Sequence, residues 1–248
     1  MGPLGEGPIP FARELEILTL FPGYFRSPLA ESLLGRAIES GLLDVTVTDL
    51  RLFATDRHRR VDDEPYGGGA GMVLMAPVIA AAIEARQGDP PARRVLLTPD
   101  GRRLDQRLVT ELAAQPRLLL FCGRYEGIDE RARRLGLFDE EISVGDFVLP
   151  GGESAALILL EAISRLVPGV VGRAESVERE SFSGERLDHP HYTRPPVFRG
   201  LEVPEVLRSG NHARIERWRR ARALERTRER RPDLLDRRPE EPDEGGRD

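Results

Sequence analysis

Three strings in this chain combine glycine with polar groups in a way that could hold a small ligand: TPDGR (Thr98 to Arg102), CGRYEGID (Cys122 to Asp129) and VGDFVLPGGES (Val144 to Ser154). Glycine lets backbone amides and carbonyls approach a base edge closely, so together the strings suit an adenosine-sized ligand. Each alone would serve equally as a tight turn. A fourth string, YGGGAGM (Tyr66 to Met72), lacks the lysine and Ser/Thr of a phosphate-binding loop and does not match GxGxxG. It follows no expected strand and reads as well as a hinge. Glu180 and Asp188, in ERESFSGERLDHPHYTRP, are carboxylates capable of moving a proton, but by residue type alone each reads as a surface acid. Cys122 is the single cysteine, and four scattered histidines leave no ligand set spaced for structural zinc. The motifs of hydride transfer, phosphoryl transfer and metal-assisted hydrolysis are missing.

Elements to position these strings follow from the apolar pattern. LEILTLF (Leu15 to Phe21) suits a buried strand, and Ser27-Pro28 supplies an N-cap and a first-turn proline for a helix whose face carries Leu29, Leu33, Leu34, Ala37 and Ile38. Gly41 ends it, and Leu43 to Asp49 alternates as a strand. The next stretch, Arg51 to Met72, is polar, glycine-rich and without periodicity; loops of that length are usually functional or disordered. A helix is expected over about Ala76 to Ala85, a strand over Arg94 to Thr98, a helix carrying Leu104, Leu108, Val109 and Leu112, and a strand over Arg117 to Phe121. A further strand near Glu141 to Val144 leads to a buried helix over Glu153 to Val167, stopped by Pro168. This alternation predicts a mainly parallel α/β sheet with helices on both faces, whose ligand sits beyond the carboxyl ends of the strands. From Pro168 to Gly210 the pattern dissolves into a linker and the start of a second module, and Arg214 to Arg230 reads as helix.

The 248 residues carry a net charge of −5, which at first sight opposes nucleic-acid binding, but charge distribution matters more than its sum. Arg208 to Arg238 holds twelve arginines against five acids, while Pro239 to Asp248 holds five acids and one arginine. A basic module therefore precedes an acidic tail; a solvated helix laced with ion pairs is the plainer account of the same charges. All 37 basic residues are arginine, which suits phosphate contacts and GC-rich coding alike. No apolar run approaches membrane-span length and no signal peptide begins the chain, so a cytoplasmic protein is expected.

The runs DRHRRVDDEPYGGGAGM, CGRYEGIDER, SVGDFVLPGGESAA, HYTRPPVFRGLEVPEVL and SGNHARIERWR, in this order from about Leu15 to Leu235, resemble the bacterial tRNA (guanine-N1)-methyltransferase family. The resemblance implies a SPOUT-class domain with a deep trefoil knot that holds S-adenosylmethionine, and a homodimer whose active sites are shared between subunits. The implied organisation is an N-terminal extension (1–14), a methyltransferase domain (15–169), a linker (170–195), a small C-terminal helical tRNA-binding domain (196–238) and an acidic tail (239–248). By motif matching, the cofactor pocket comprises Pro99, Gly123, Tyr125, Glu126, Gly127, Val144, Gly145, Phe147, Leu149, Gly151 and Gly152.

The implied reaction methylates N1 of the guanosine just 3′ of the anticodon. That nitrogen carries a proton at neutral pH, so a positioned base must remove it. The family's base is an aspartate directly before Ser-Phe; here Glu180 holds that position, a departure, and Asp188 is the second candidate. Arg165 matches a family arginine that steadies charge on the reacting base, although alone it reads as a helix-dipole partner. His58, Arg59, Asp62, Asp63 and Tyr66 become candidate contacts to the target base, and Asn211, His212, Arg214, Arg217 and Arg219 candidate contacts to the tRNA backbone. Trp218 fits either a small core or a stacking platform. A Mg2+ ion is compatible with this chemistry. Two rivals remain: another SPOUT-class RNA methyltransferase, and a tRNA-binding protein of weak or no catalysis, to which Glu180 points.

Overall fold

The computed structural model describes residues 13–86, 88–172, 180–182, 184 and 186–236. Most of the N-terminal extension, residues 173–179 of the linker and the acidic tail lie outside the described residues. The chain divides into two compact units, Met1–Ala174 and Glu175–Asp248.

The first unit runs β1 (Glu14–Thr19), α1 (Ser32–Glu39), β2 (Asp44–Asp49), β3 (Asp62–Asp63), β4 (Val73–Leu74), α2 (Ala76–Glu84), β5 (Arg93–Arg103), α3 (Gln106–Ala113), β6 (Arg117–Cys122), α4 (Glu130–Arg134), β7 (Glu140–Ser143) and α5 (Glu153–Ser164). Five strands form one sheet in the order β2-β1-β6-β5-β7, with every pairing parallel. Strand side chains alternate between its faces. Leu15 and Ile17 of β1, Val95 and Leu97 of β5, and Leu118 and Leu120 of β6 join α1, α3 and α5 in one core. Leu18, Leu96, Leu119 and Phe121 join α2 and α4 in the other. Burial on both faces is why these strands read as unbroken apolar runs, and each buried leucine contributes about 1.5–3 kcal/mol.

Three local differences from the sequence expectation have physical causes. Ser27 makes no side-chain cap; Pro28–Ala30 is a separate 3-10 turn, and α1 starts only at Ser32 after extended Glu31. Gly35 lies against the Ala30 backbone, where a Cβ would come 2.5 Å from the Ala30 carbonyl carbon, so the two segments touch side by side. Second, β5 does not stop at Thr98: Leu97 and Arg102 both face Ile142, and Thr98 to Gly101 bulge out between them. Gly101 makes this feasible, since a Cβ there would lie 2.4 Å from the Ile142 amide nitrogen. Third, the polar stretch after β2 contains a two-residue antiparallel ribbon, β3 with β4, and Asp49 caps a 3-10 turn by accepting from the Arg51 amide at 2.9 Å.

In the second unit, β8 (Val197–Phe198) and β9 (Leu201–Glu202) pair through Arg199-Gly200, both with positive φ, as the tightest hairpins require. They precede α6 (Glu205–Arg208) and α7 (His212–Arg230). Helix α7 begins two residues before the expected Arg214, because the Asn211 side chain accepts from the Arg214 amide at 3.1 Å. Among the described residues no helix is long and apolar enough to cross a membrane.

Candidate functional site

A cavity of about 460 Å³ opens at the carboxyl ends of β5, β6 and β7, where ligands of parallel α/β sheets sit, and in the size range of small-molecule sites. Its walls are the Thr98–Gly101 bulge, the loop after β6 and the loop from β7 to α5. All eleven residues named for the cofactor, from Pro99 to Gly152, line this one space. Backbone makes most of its shape. Gly152 donates its amide to the Gly123 carbonyl at 2.9 Å, and a Cβ on Gly152 would stand 2.8 Å from the Cys122 Cα. Gly127 and Gly145 hold φ of +141° and +151°, conformations that side chains with Cβ rarely adopt. Phe147 and Val148 stand exposed on the rim.

Besides Glu126, charge in the cavity wall comes from Asp100, Arg124 and Arg133, which the sequence analysis did not single out. Arg133 of α4 meets Glu141 at 2.9 Å, Asp100 at 3.2 Å and Glu130 at 3.4 Å. Asp100 is held below the ordinary carboxylate value by the Thr98 hydroxyl first and by the Arg133 charge, against its partial burial. Arg124 also lines the cavity and pairs with Asp- and Glu-type partners only through Glu153, at 3.7 Å, among the described contacts. The available signal was position: Asp100 and Arg124 sit inside the glycine strings themselves.

The polar loop is fastened to that wall. The Glu126 amide donates to the Met72 carbonyl at 3.1 Å and the Leu74 amide to the Gly127 carbonyl at 3.0 Å. This brings Asp62 within 3.3 Å of the Tyr125 hydroxyl, which donates to it. Burial and the Asp62 charge push the Tyr125 phenol upward. Asp63 accepts from the Glu64 amide, while His58, Arg59 and Tyr66 stand in solvent, Tyr66 completely so. Arg165 caps the far end of α5 and is exposed. At about 1.5 Å per residue, it lies roughly 18 Å along the helix from Glu153, which adjoins the cavity.

In the second unit, Glu180 to Phe182 and Arg186 to His191 belong to an acid-bearing loop. The Asp188 amide donates to the Ser181 hydroxyl at 3.0 Å, which ties the residue after Glu180 to the Asp188 backbone. The Leu187 amide donates to Thr227 Oγ1 at 3.0 Å, anchoring the loop on α7. Asp188 accepts from the His189 amide at 2.6 Å and meets His191 Nε2 at 2.9 Å. Burial alone would raise Asp188, yet the His191 and His189 hydrogen bonds carry it below the ordinary value. His189 is pushed below the usual imidazole value by burial, against the pull of Asp188. Trp218 on α7 is half-buried against the rings of His189 and Tyr192, at centroid distances of 6.5 and 6.3 Å. Of the arginine surface, Arg219 pairs with Glu216 at 2.9 Å and Arg217 Nε donates to the Ala213 carbonyl, whereas His212 and Arg214 are exposed. Asn211 is engaged as the α7 cap.

Comparison with known proteins gives the chain its relatives. Residues 13–237 match the family model described as tRNA (Guanine-1)-methyltransferase TrmD. A protein of Geobacter sulfurreducens named tRNA (guanine-N(1)-)-methyltransferase is 55% identical over 223 residues, covering 90% of this chain and 91% of its own length. Proteins of the same name from Anaeromyxobacter sp. strain Fw109-5 and Dehalococcoides mccartyi are 57% and 52% identical, each over 90% of this chain and 91% and 90% of their own lengths. With a match of this extent at both levels, the chain belongs to the tRNA (guanine-1)-methyltransferase family.

Proposed function

We propose that this enzyme transfers a methyl group from S-adenosylmethionine to N1 of the guanosine 3′-adjacent to the anticodon in tRNA, acting in the cytoplasm. The observation that carries the reading is the family match over residues 13–237. The cavity supports it chemically. A Cβ on Gly123, Gly151 or Gly152 would come within 3.2, 2.5 or 2.8 Å of neighbouring protein atoms, so only bare backbone fits there, and its amides and carbonyls form the wall that would face the adenine of the cofactor. The eleven lining residues named above would hold the cofactor, which supplies a methyl group on a positively charged sulfur.

The chain's own task is the proton on guanine N1. Asp188 accepts from His189 and His191 and is held in its charged form, which makes it an anchor and a weak proton acceptor. Glu180, one residue before the Ser181 hydroxyl that receives the Asp188 amide, is the base in this reading. Its extra methylene relative to aspartate displaces the carboxylate by about an ångström, a misplacement worth on the order of a hundredfold in rate unless the loop compensates.

Arg165 steadies negative charge developing on the guanine oxygen. Its distance from its own chain's cavity, the length of α5, supports a homodimer in which it serves the cavity of a second copy. The close passage of Gly151 and Gly152 across the end of β6 is compatible with the threading of a SPOUT-type trefoil knot. His58, Arg59, Asp62, Asp63 and Tyr66 read the target base and its neighbours, and a small C-terminal helical domain grips phosphates through His212, Arg214, Arg217 and Arg219. Asp188, His189 and His191 bring three potential ligand atoms within 4.8 Å, but two imidazoles and one carboxylate suit softer ions than Mg2+, which prefers oxygen.

The test is transfer of labelled methyl to unmodified tRNA transcripts carrying G or A after the anticodon. Methylation of the G transcript alone, abolished in Glu180→Gln, supports the reading. Tight cofactor binding without methylation of either transcript would replace it with a non-catalytic tRNA-binding role.

A further inference from the structure

Glu153 is a carboxylate buried to 3% exposure at the first position of α5, and nothing in the methyl-transfer chemistry above employs it. Burying a carboxylate is costly unless it is paired and hydrogen-bonded. Its Oε1 accepts from the Thr19 hydroxyl at 2.8 Å, and Thr19 Oγ1 in turn accepts from the Phe21 amide at 2.9 Å. Those bonds would be met equally by glutamine. Its Oε2 faces Arg124 Nη1 at 3.7 Å, and only that contact draws on its charge. Arg124 is confined on a second side, its guanidinium lying over the Phe21 ring at 4.4 Å. Gly151 completes the arrangement: a Cβ there would meet Glu153 Oε2 at 2.5 Å and Arg124 Nη1 at 2.6 Å, so the pair occupies the room that a side chain would take. The two guanidinium groups of the cavity wall therefore differ. Arg133 is matched by three acids, Arg124 by Glu153 alone among the described pairs.

We propose that Glu153 is a positioning residue that orients Arg124, so that its guanidinium receives an anionic oxygen of a substrate at the cavity wall. That oxygen belongs to the carboxylate of the cofactor or to the RNA, both within the chemistry of a guanidinium fork. The inference rests on the methyl-transfer reading and deepens it.

The experiment compares Glu153→Gln, Arg124→Ala and the double variant with the native chain, varying S-adenosylmethionine and tRNA separately and measuring S-adenosylhomocysteine affinity and thermal midpoint. Glu153→Gln keeps shape and the Thr19 bond, and is expected to raise one KM about tenfold with kcat changed far less. If the oxygen is the cofactor's, S-adenosylhomocysteine binding weakens in parallel; if it is the RNA's, only the tRNA KM moves. Added to Arg124→Ala, Glu153→Gln changes the same KM less than twofold, because its effect passes through Arg124. Thr19→Val, which keeps the charge but removes its anchor, gives a smaller rise in the same KM and serves if Glu153→Gln folds poorly. Unchanged KM values in Glu153→Gln, or full multiplication of the two single effects with a matching fall in thermal midpoint, overturn the proposal. A native chain that transfers no methyl counts instead against the methyl-transfer reading.

Discussion

The cavity of the first unit and the acid loop of the second are built in opposite ways. The cavity is shaped by backbone held at contact distance, with Gly101 against Ile142 and Gly152 against Cys122. The acid loop adds side-chain ties, Ser181 to Asp188, Thr227 to Leu187 and His191 to Asp188, to two short backbone bonds, Phe182 to Arg186 and Arg186 to Gly184. A backbone-built wall admits no conservative replacement, whereas a loop tied by side chains can absorb a methylene. That difference leaves room for Glu180 where the resemblance expects aspartate.

The largest expected effect is on proton removal. Glu180→Gln should lower kcat by about 10²- to 10⁴-fold, while Glu180→Asp should stay within about tenfold of the native rate; a Glu180→Asp variant as inactive as Glu180→Gln would break the contrast. Next comes Gly152→Ala, whose new Cβ would meet backbone at 2.8 Å. Overpacking costs of about 1–3 kcal/mol translate into about 5- to 150-fold weaker S-adenosylhomocysteine binding by calorimetry, and unchanged binding would show that the wall yields. Asp188→Asn keeps the loop's shape but weakens two charge-assisted bonds, and about a tenfold loss in kcat is expected in a single-turnover assay.

The smallest effect is a pH response confined to the loop. His189 sits below its usual imidazole value, so its neutral form is favoured by folding, and that contribution is present above about pH 6.5 and lost as pH falls. Asp188 is also lowered, so its contribution is lost only on further acidification through its reduced value. Both signs point the same way. Trp218, the single tryptophan and a neighbour of His189, should change emission as pH drops below about 6.5, while S-adenosylhomocysteine binding stays level. A cofactor affinity that follows the Trp218 signal would mean that the two regions are not independent.

The sheet could be read from sequence because both its faces are buried: Leu118 to Phe121 carry an apolar side chain at each step, and Gly41, at positive φ, marks a helix end by its own chemistry; Leu104, expected on the next helix, lies before its Asp105 cap. The Thr98–Gly101 bulge could not, because four residues that leave and rejoin a strand carry no periodicity. Helix α4, with Glu-Arg-Ala-Arg-Arg, buries only Ala132 and offers no apolar face to detect. The cavity residues were reached through motifs and not through pattern. The role of Glu153 is not legible in sequence, because a glutamate in a first helical turn ordinarily faces solvent near the dipole; its burial depends on Thr19, 134 residues earlier.

Cys122 lies at the end of β6, fully buried, with Gly152 lodged against its Cα. Burial, reinforced by the Glu153 charge, pushes its thiol well above the ordinary value. An alkylating reagent can therefore reach the sole thiol in the chain only when the core around the end of β6 opens, so labelling kinetics would time that local opening without any introduced probe.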